Sequence, residues 1–65
     1  MQFCDLWMKM QYDVQTKFNV LDDEKIYFAG SVGEMPVLVF EKVEFAFIEK
    51  IYVVNNILYI VLEDE

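Results

Sequence analysis

From residue 51 to residue 62, apolar side chains run almost unbroken on either side of Asn55 and Asn56. Two stretches rich in β-branched and aromatic residues, joined by two residues that tolerate positive φ, predict a β-hairpin closed by a type I′ turn. Neither stretch alternates with polar residues. At least one of its strands is therefore expected to lie centrally in a sheet or beneath another element. Glu63, Asp64 and Glu65 then end the second strand with charge, which also discourages edge-to-edge pairing.

Upstream, strands are predicted over residues 25–29, 36–40 and 43–48. Pro36 stands at the first residue of its stretch, where a missing N–H donor costs least. The loop 30–34 and the acidic run 21–24 punctuate these stretches. At Glu41-Lys42 and Glu49-Lys50 no Gly or Asn marks a reversal, so a turn and a bend in one long strand both remain open there.

The first third of the chain carries two periodicities at once. Cys4, Leu6, Met8, Met10, Tyr12, Val14, Thr16, Phe18 and Val20 all occupy even positions, the signature of a strand. Phe3, Leu6, Trp7, Met10 and Val14 also fit the stripe of an amphipathic helix. Residues 2–11 hold good helix formers and no β-branched residue, whereas the composition turns toward β from Tyr12 onward. A strand through most of this segment is the expectation, with a short helical start as its competitor. The outcome decides the fate of Trp7 and Phe3. On a strand both stand on the exposed, otherwise polar face and make good interface anchors; on a helix both join the core.

Together these elements predict one mainly-β domain over residues 1–65, all-β or α+β, built as a small antiparallel meander of four or five strands. Composition adds a constraint. Hydrophobic residues make up 57% of the chain and eleven residues are aromatic, against ~45–50% apolar residues in ordinary domains. So small a globule has too little interior for all of them, and an exposed apolar patch marking a homo-oligomer or a protein partner is expected. The longest apolar stretch is too short and too interrupted to cross a bilayer as a helix. With a single cysteine, Cys4, no internal disulfide forms; with no signal-peptide pattern either, a cytoplasmic, soluble protein is expected.

Charge removes several function classes. Twelve carboxylates against five lysines, with no arginine and no histidine, give a formal −7. That field repels DNA, RNA and anionic lipid and attracts basic surfaces. Without His there is no ready general base near neutral pH, and without Arg no bidentate clamp for phosphate. Ser31 and Thr16 are the only hydroxyl nucleophiles of their types and have no triad partners. Cys4 lacks an activating base and reads as a small apolar residue. No catalytic residue, metal ligand set or cofactor is expected. Residues 30–33 have the spacing of the GxxG loop of KH-type nucleic-acid-binding domains, but no basic residue adjoins them and Glu34 follows, so a turn is expected. Asp22, Asp23 and Glu24 are consecutive instead of alternating, which does not make a calcium loop.

What remains is recognition. Asp22, Asp23 and Glu24, with Glu41, Glu44, Glu49 and the acidic tail, are the candidate residues for an acidic binding face, and Trp7 and Phe3 the candidate anchors. In size, acidity and lack of motifs the chain resembles the small anti-defence proteins of bacteriophages, including anti-CRISPR proteins, a resemblance of composition over the whole chain. It implies an inhibitor acting in the host cytoplasm. Its carboxylates would stand in for phosphates on a basic, nucleic-acid-binding host protein. Two other readings are a homo-oligomeric assembly module and a small-ligand sequestering protein with an aromatic cavity.

Overall fold

The structure, a computed structural model, describes residues 1–63. Asp64 and Glu65, the last two residues of the expected acidic tail, lie outside the described residues. The chain runs as α1 (Phe3–Met10), β1 (Lys17–Leu21), β2 (Ile26–Ser31), a 3₁₀ turn (Val32–Glu34), α2 (Val37–Val43), β3 (Ile48–Val54) and β4 (Ile57–Leu62).

The helical alternative holds at the start of the chain. The Asp5 carboxylate accepts from the Gln2 N–H at 3.1 Å, and Lys9 stands in the last turn, where the helix dipole favours a cation. Leu6, Trp7 and Met10 pack around buried Phe3 against the sheet. The even-position alternation survives only from residue 17, where Phe18 and Val20 are fully buried. Phe3 and Trp7 are therefore core-side residues, and neither is the exposed strand anchor the other register implied.

The strand expected over residues 36–40 is instead the start of α2. Pro36 precedes the first helical residue, a place where its missing N–H and fixed φ cost nothing. Helical spacing then carries Phe40 and Val43 inward: Val43 is buried, and the Phe40 ring meets Phe3 and Trp7 at centroid distances of 6.1 and 5.6 Å. Packing of one face overrides the β-propensity of a Val-rich run. The stretch 43–48 is likewise the end of α2, a turn, and the beginning of β3. Glu41-Lys42 lies inside the helix and Glu49-Lys50 inside β3, so neither is a reversal.

The class is mainly β with two short helices, an α+β arrangement, and four strands form one sheet in the order β2-β1-β4-β3. Both outer pairs are antiparallel hairpin-like pairs. The central pair departs from a meander: β1 and β4 run parallel, with Phe18 beside Leu58 and Val20 beside Ile60. The path through β2, α2 and β3 supplies the long crossover that parallel neighbours require. Asn55 and Asn56 adopt φ of 52° and 64°, the type I′ turn expected of them. β4, apolar on both faces, is a central strand; consequently Glu63 at its end does not guard an edge.

Both helices lie on one face of the sheet. Phe18, Val20, Ile60 and Leu62 join Phe3, Val32 and Val43 in the core there. Phe28 packs over Phe18 at 5.1 Å, in the space that Gly30, opposite Phe18, leaves empty. The other face is left open by the helices. Val61 is buried yet stands apart from the core, on this second face with Tyr59 and Tyr52. The two tyrosine rings stack with centroids 5.0 Å apart and planes 2° from parallel.

Candidate functional site

The loop between β1 and β2 is built around one carboxylate. Oδ1 of Asp22 accepts from the N–H of Glu24 at 2.8 Å and of Lys25 at 2.9 Å, while Oδ2 accepts from the Tyr27 hydroxyl at 2.7 Å. This Asx-type turn closes as the Asp22 N–H donates to the Lys25 carbonyl at 2.9 Å. The Tyr27 hydroxyl, and after it the two N–H groups, hold the Asp22 carboxyl below the usual carboxylate range. The Lys25 ammonium lies over the Tyr27 ring, 4.6 Å from its centroid, in a cation–π contact.

That loop places Asp22 and Glu24 on the rim of an open depression of about 360 Å³. Glu63 and Lys42 line it as well, over the buried side chains of Val43 and Leu62, so that its exposed lining is mostly polar. Three acids from chain segments about 40 residues apart in sequence thus converge around a single lysine. Glu63 is held there by the last rung of the sheet, its N–H donating to the Phe47 carbonyl at 2.8 Å. The chemistry available is that of a negatively charged, mostly polar socket, suited to the charged head of Lys or Arg.

The sequence-derived candidates divide. Asp22 and Glu24 line the depression, and exposed Asp23 sits at the tip of the same loop. Glu41 is exposed on α2, Glu44 is half-buried just past its end, and Glu49 is exposed at the β3 bulge; none of the three lines the depression. Trp7 is half-buried between Phe3, Phe18 and Phe40, and Phe3 has no exposed surface to offer. Glu63 of the acidic tail lines the depression with Asp22 and Glu24, whereas the part of Lys42 and the parallel β1–β4 neighbourhood that brings these segments together were not legible beforehand. Glu34 belongs to a separate corner. Its Oε1 accepts from the Ser31 hydroxyl at 2.7 Å and the Ser31 N–H at 3.1 Å, and the hydroxyl chiefly lowers its pKa.

Among the described residues no group of three or more His, Cys, Asp or Glu is placed to hold a metal ion, and no helix is long and apolar enough to cross a membrane. Comparison with family models, curated proteins and solved structures finds no match to this chain.

Proposed function

We propose that the protein is a non-catalytic inhibitor that docks its acidic end on a basic surface of another protein, of the kind that ordinarily holds DNA or RNA. The observation that carries this reading is the convergence of Asp22, Glu24 and Glu63 on one open depression, in a chain of formal charge −7. The Asp22 carboxylate, fixed on its turn, presents negative charge without the entropy loss of ordering a mobile side chain. The small size, acidity and scarcity of nucleophiles fit an anti-defence protein of a bacteriophage, acting in the host cytoplasm.

The test is capture from a bacterial lysate with the tagged protein at low and at high salt. A nucleic-acid-processing protein recovered at low salt and lost at high salt supports the reading, since exposed charge pairs are screened beyond ~10 Å at 0.1 M. The triple variant Asp23→Asn, Glu24→Gln, Glu63→Gln should lose that capture while keeping the fold. Asp22 is left intact because its carboxylate holds the turn. Capture that survives both high salt and the triple variant would sink the proposal.

A further inference from the structure

The free edge of β3 is self-complementary, and we infer that it pairs with the same strand of a second copy, about a two-fold axis at Tyr52. This goes beyond the acidic-end reading and does not depend on it.

The inference starts from the hydrogen-bond phase of the hairpin. In a two-residue hairpin the residues flanking the turn form a hydrogen-bonded pair, and the pairs alternate from there. Val54 with Ile57, Tyr52 with Tyr59 and Lys50 with Val61 therefore direct their backbone groups at each other. Ile51 and Val53 direct theirs away from β4. The ladder shifts between Ile48 and Lys50, a bulge that sets Glu49 and Lys50 together against Val61. Beyond the bulge the outer edge is already occupied: the Ile48 N–H donates to the Met1 carbonyl at 2.8 Å, and Gln2 bridges to Phe47. What remains open is a short window holding two N–H and two C=O groups, those of Ile51 and Val53.

Antiparallel pairing centred on Tyr52 sets Ile51 opposite Val53 of the second copy, and Val53 opposite its Ile51. All four groups are then satisfied. A centre at Ile51 needs outward groups from Glu49, which the bulge turns inward, and a centre at Val53 needs them from Asn55, which is in the turn at φ 52°.

Charge selects the same occupant. All twelve carboxylates lie outside residues 50–62, so this hairpin carries one cation, Lys50, and no acid. It is where two copies of a −7 chain meet with least repulsion, and it offers nothing to a basic partner. In the Tyr52-centred register Lys50 faces Val54 and Glu49 faces Asn55, so no like charges stand opposite. The strand meanwhile leaves apolar surface in water: Ile51 is 42% exposed, Tyr52 40%, Val53 65% and Val54 46%. The edge carries none of the usual guards against such pairing over these four residues, neither proline nor charge. The opposite edge, β2, is flanked by the acidic 22–24 turn at one end and Glu34 at the other. Pairing through β3 joins the two sheets into one of eight strands. It also sets Tyr52 beside Tyr52 of the second copy on the open face, next to each Tyr52–Tyr59 stack.

Sedimentation velocity of the whole protein across micromolar concentrations tests this, together with four variants. Val53→Pro removes an N–H that no internal bond uses, so it should keep the native circular dichroism and raise the dissociation constant about tenfold or more, the scale of one or two lost net hydrogen bonds. Val53→Lys does the same by charge should the proline disturb the strand. In a Cys4→Ser background, Tyr52→Cys should form an intermolecular disulfide on mild oxidation, because directly opposed non-hydrogen-bonded residues have Cα atoms ~4.5 Å apart; Val54→Cys should not. A wild type that stays monomeric throughout, a dimer indifferent to both Val53 variants, or bridging at position 54 instead of 52 overturns the inference. So does a monomer whose β3 edge is protected only by a different protein.

Discussion

The indole of Trp7 packs on the ring of Phe40 with centroids 5.6 Å apart and planes at 45°, which clasps α1 to α2 above the sheet. Trp7 also meets Phe3 at 6.0 Å and Phe18 at 5.9 Å, so one side chain links both helices to β1. Trp7→Ala and Phe40→Ala should each cost about 3 kcal/mol, at the lower end for aromatic truncation because both side chains are half-buried. In urea titrations the double variant should lose about 0.5–1.5 kcal/mol less than the sum of the two, the worth of the ring pair itself. Strict additivity would mean the helices dock independently.

The β3–β4 turn gives a prediction of opposite sign. Asn56 sits at φ 64°, a conformation that glycine adopts without cost and that a β-branched residue resists. Asn56→Gly should stabilise the protein by about 0.5 kcal/mol and Asn56→Val destabilise it by about 1–2 kcal/mol. Thermal melts of the two variants should bracket the wild type.

Gly30, at φ 159°, predicts a cost from crowding on top of the backbone cost that a side chain meets there. A methyl group placed there would stand 2.9 Å from Cζ of Phe28, pushing that ring off Phe18. Gly30→Ala should cost about 1–2 kcal/mol, and the loss should shrink in a Phe28→Leu background, whose shorter side chain vacates the contact. An equal loss in both backgrounds would place the effect elsewhere.

Acid should weaken the fold in two identifiable places. Asp22 and Glu34 both have carboxyl pKa values lowered in the folded protein. Their contribution is therefore fully present above the ordinary carboxylate values near ~4 and is lost as the pH falls through the lowered ones. Tyr27→Phe removes the largest cause at Asp22, and Ser31→Ala the largest at Glu34. Each variant should raise the titration midpoint of its own carboxyl, read by NMR, and leave the other unmoved. A shift of both in either variant contradicts the separate local origins.

How much of this could be read beforehand depended on the sequence distance of the contacts involved. The hairpin at Asn55-Asn56 was legible because its turn chemistry and both strands are contiguous. The alternation at Phe18 and Val20 was equally local, although it stopped short of Met10, where helix formers and the packing of Trp7 take over. α2 was hidden by its valines: strand propensity is weak, and the helical spacing of Phe40 and Val43 acquires meaning only against Phe3 and Trp7. The parallel neighbours β1 and β4 could not be read at all, since Phe18 and Leu58 share no local signal. The acidic end inherits that difficulty. Asp22, Asp23 and Glu24 stood out as a run and the acidic tail was expected beside them, yet nothing in the run showed that Asp22 is spent on its own turn, that Lys42 would join Glu24 and Glu63, or that Glu41, Glu44 and Glu49 would stand apart.

The position of β4 has a kinetic consequence. It is the last of the described strands in sequence order and yet lies between β1 and β3, so the interior stays unfinished until it is inserted. A ribosome-bound chain lacking it would hold Phe18 and Val20 without Leu58 and Ile60 beside them. Productive collapse must therefore await synthesis of β4 and proceed by long loop closure, which favours slow, all-or-none assembly over stepwise growth.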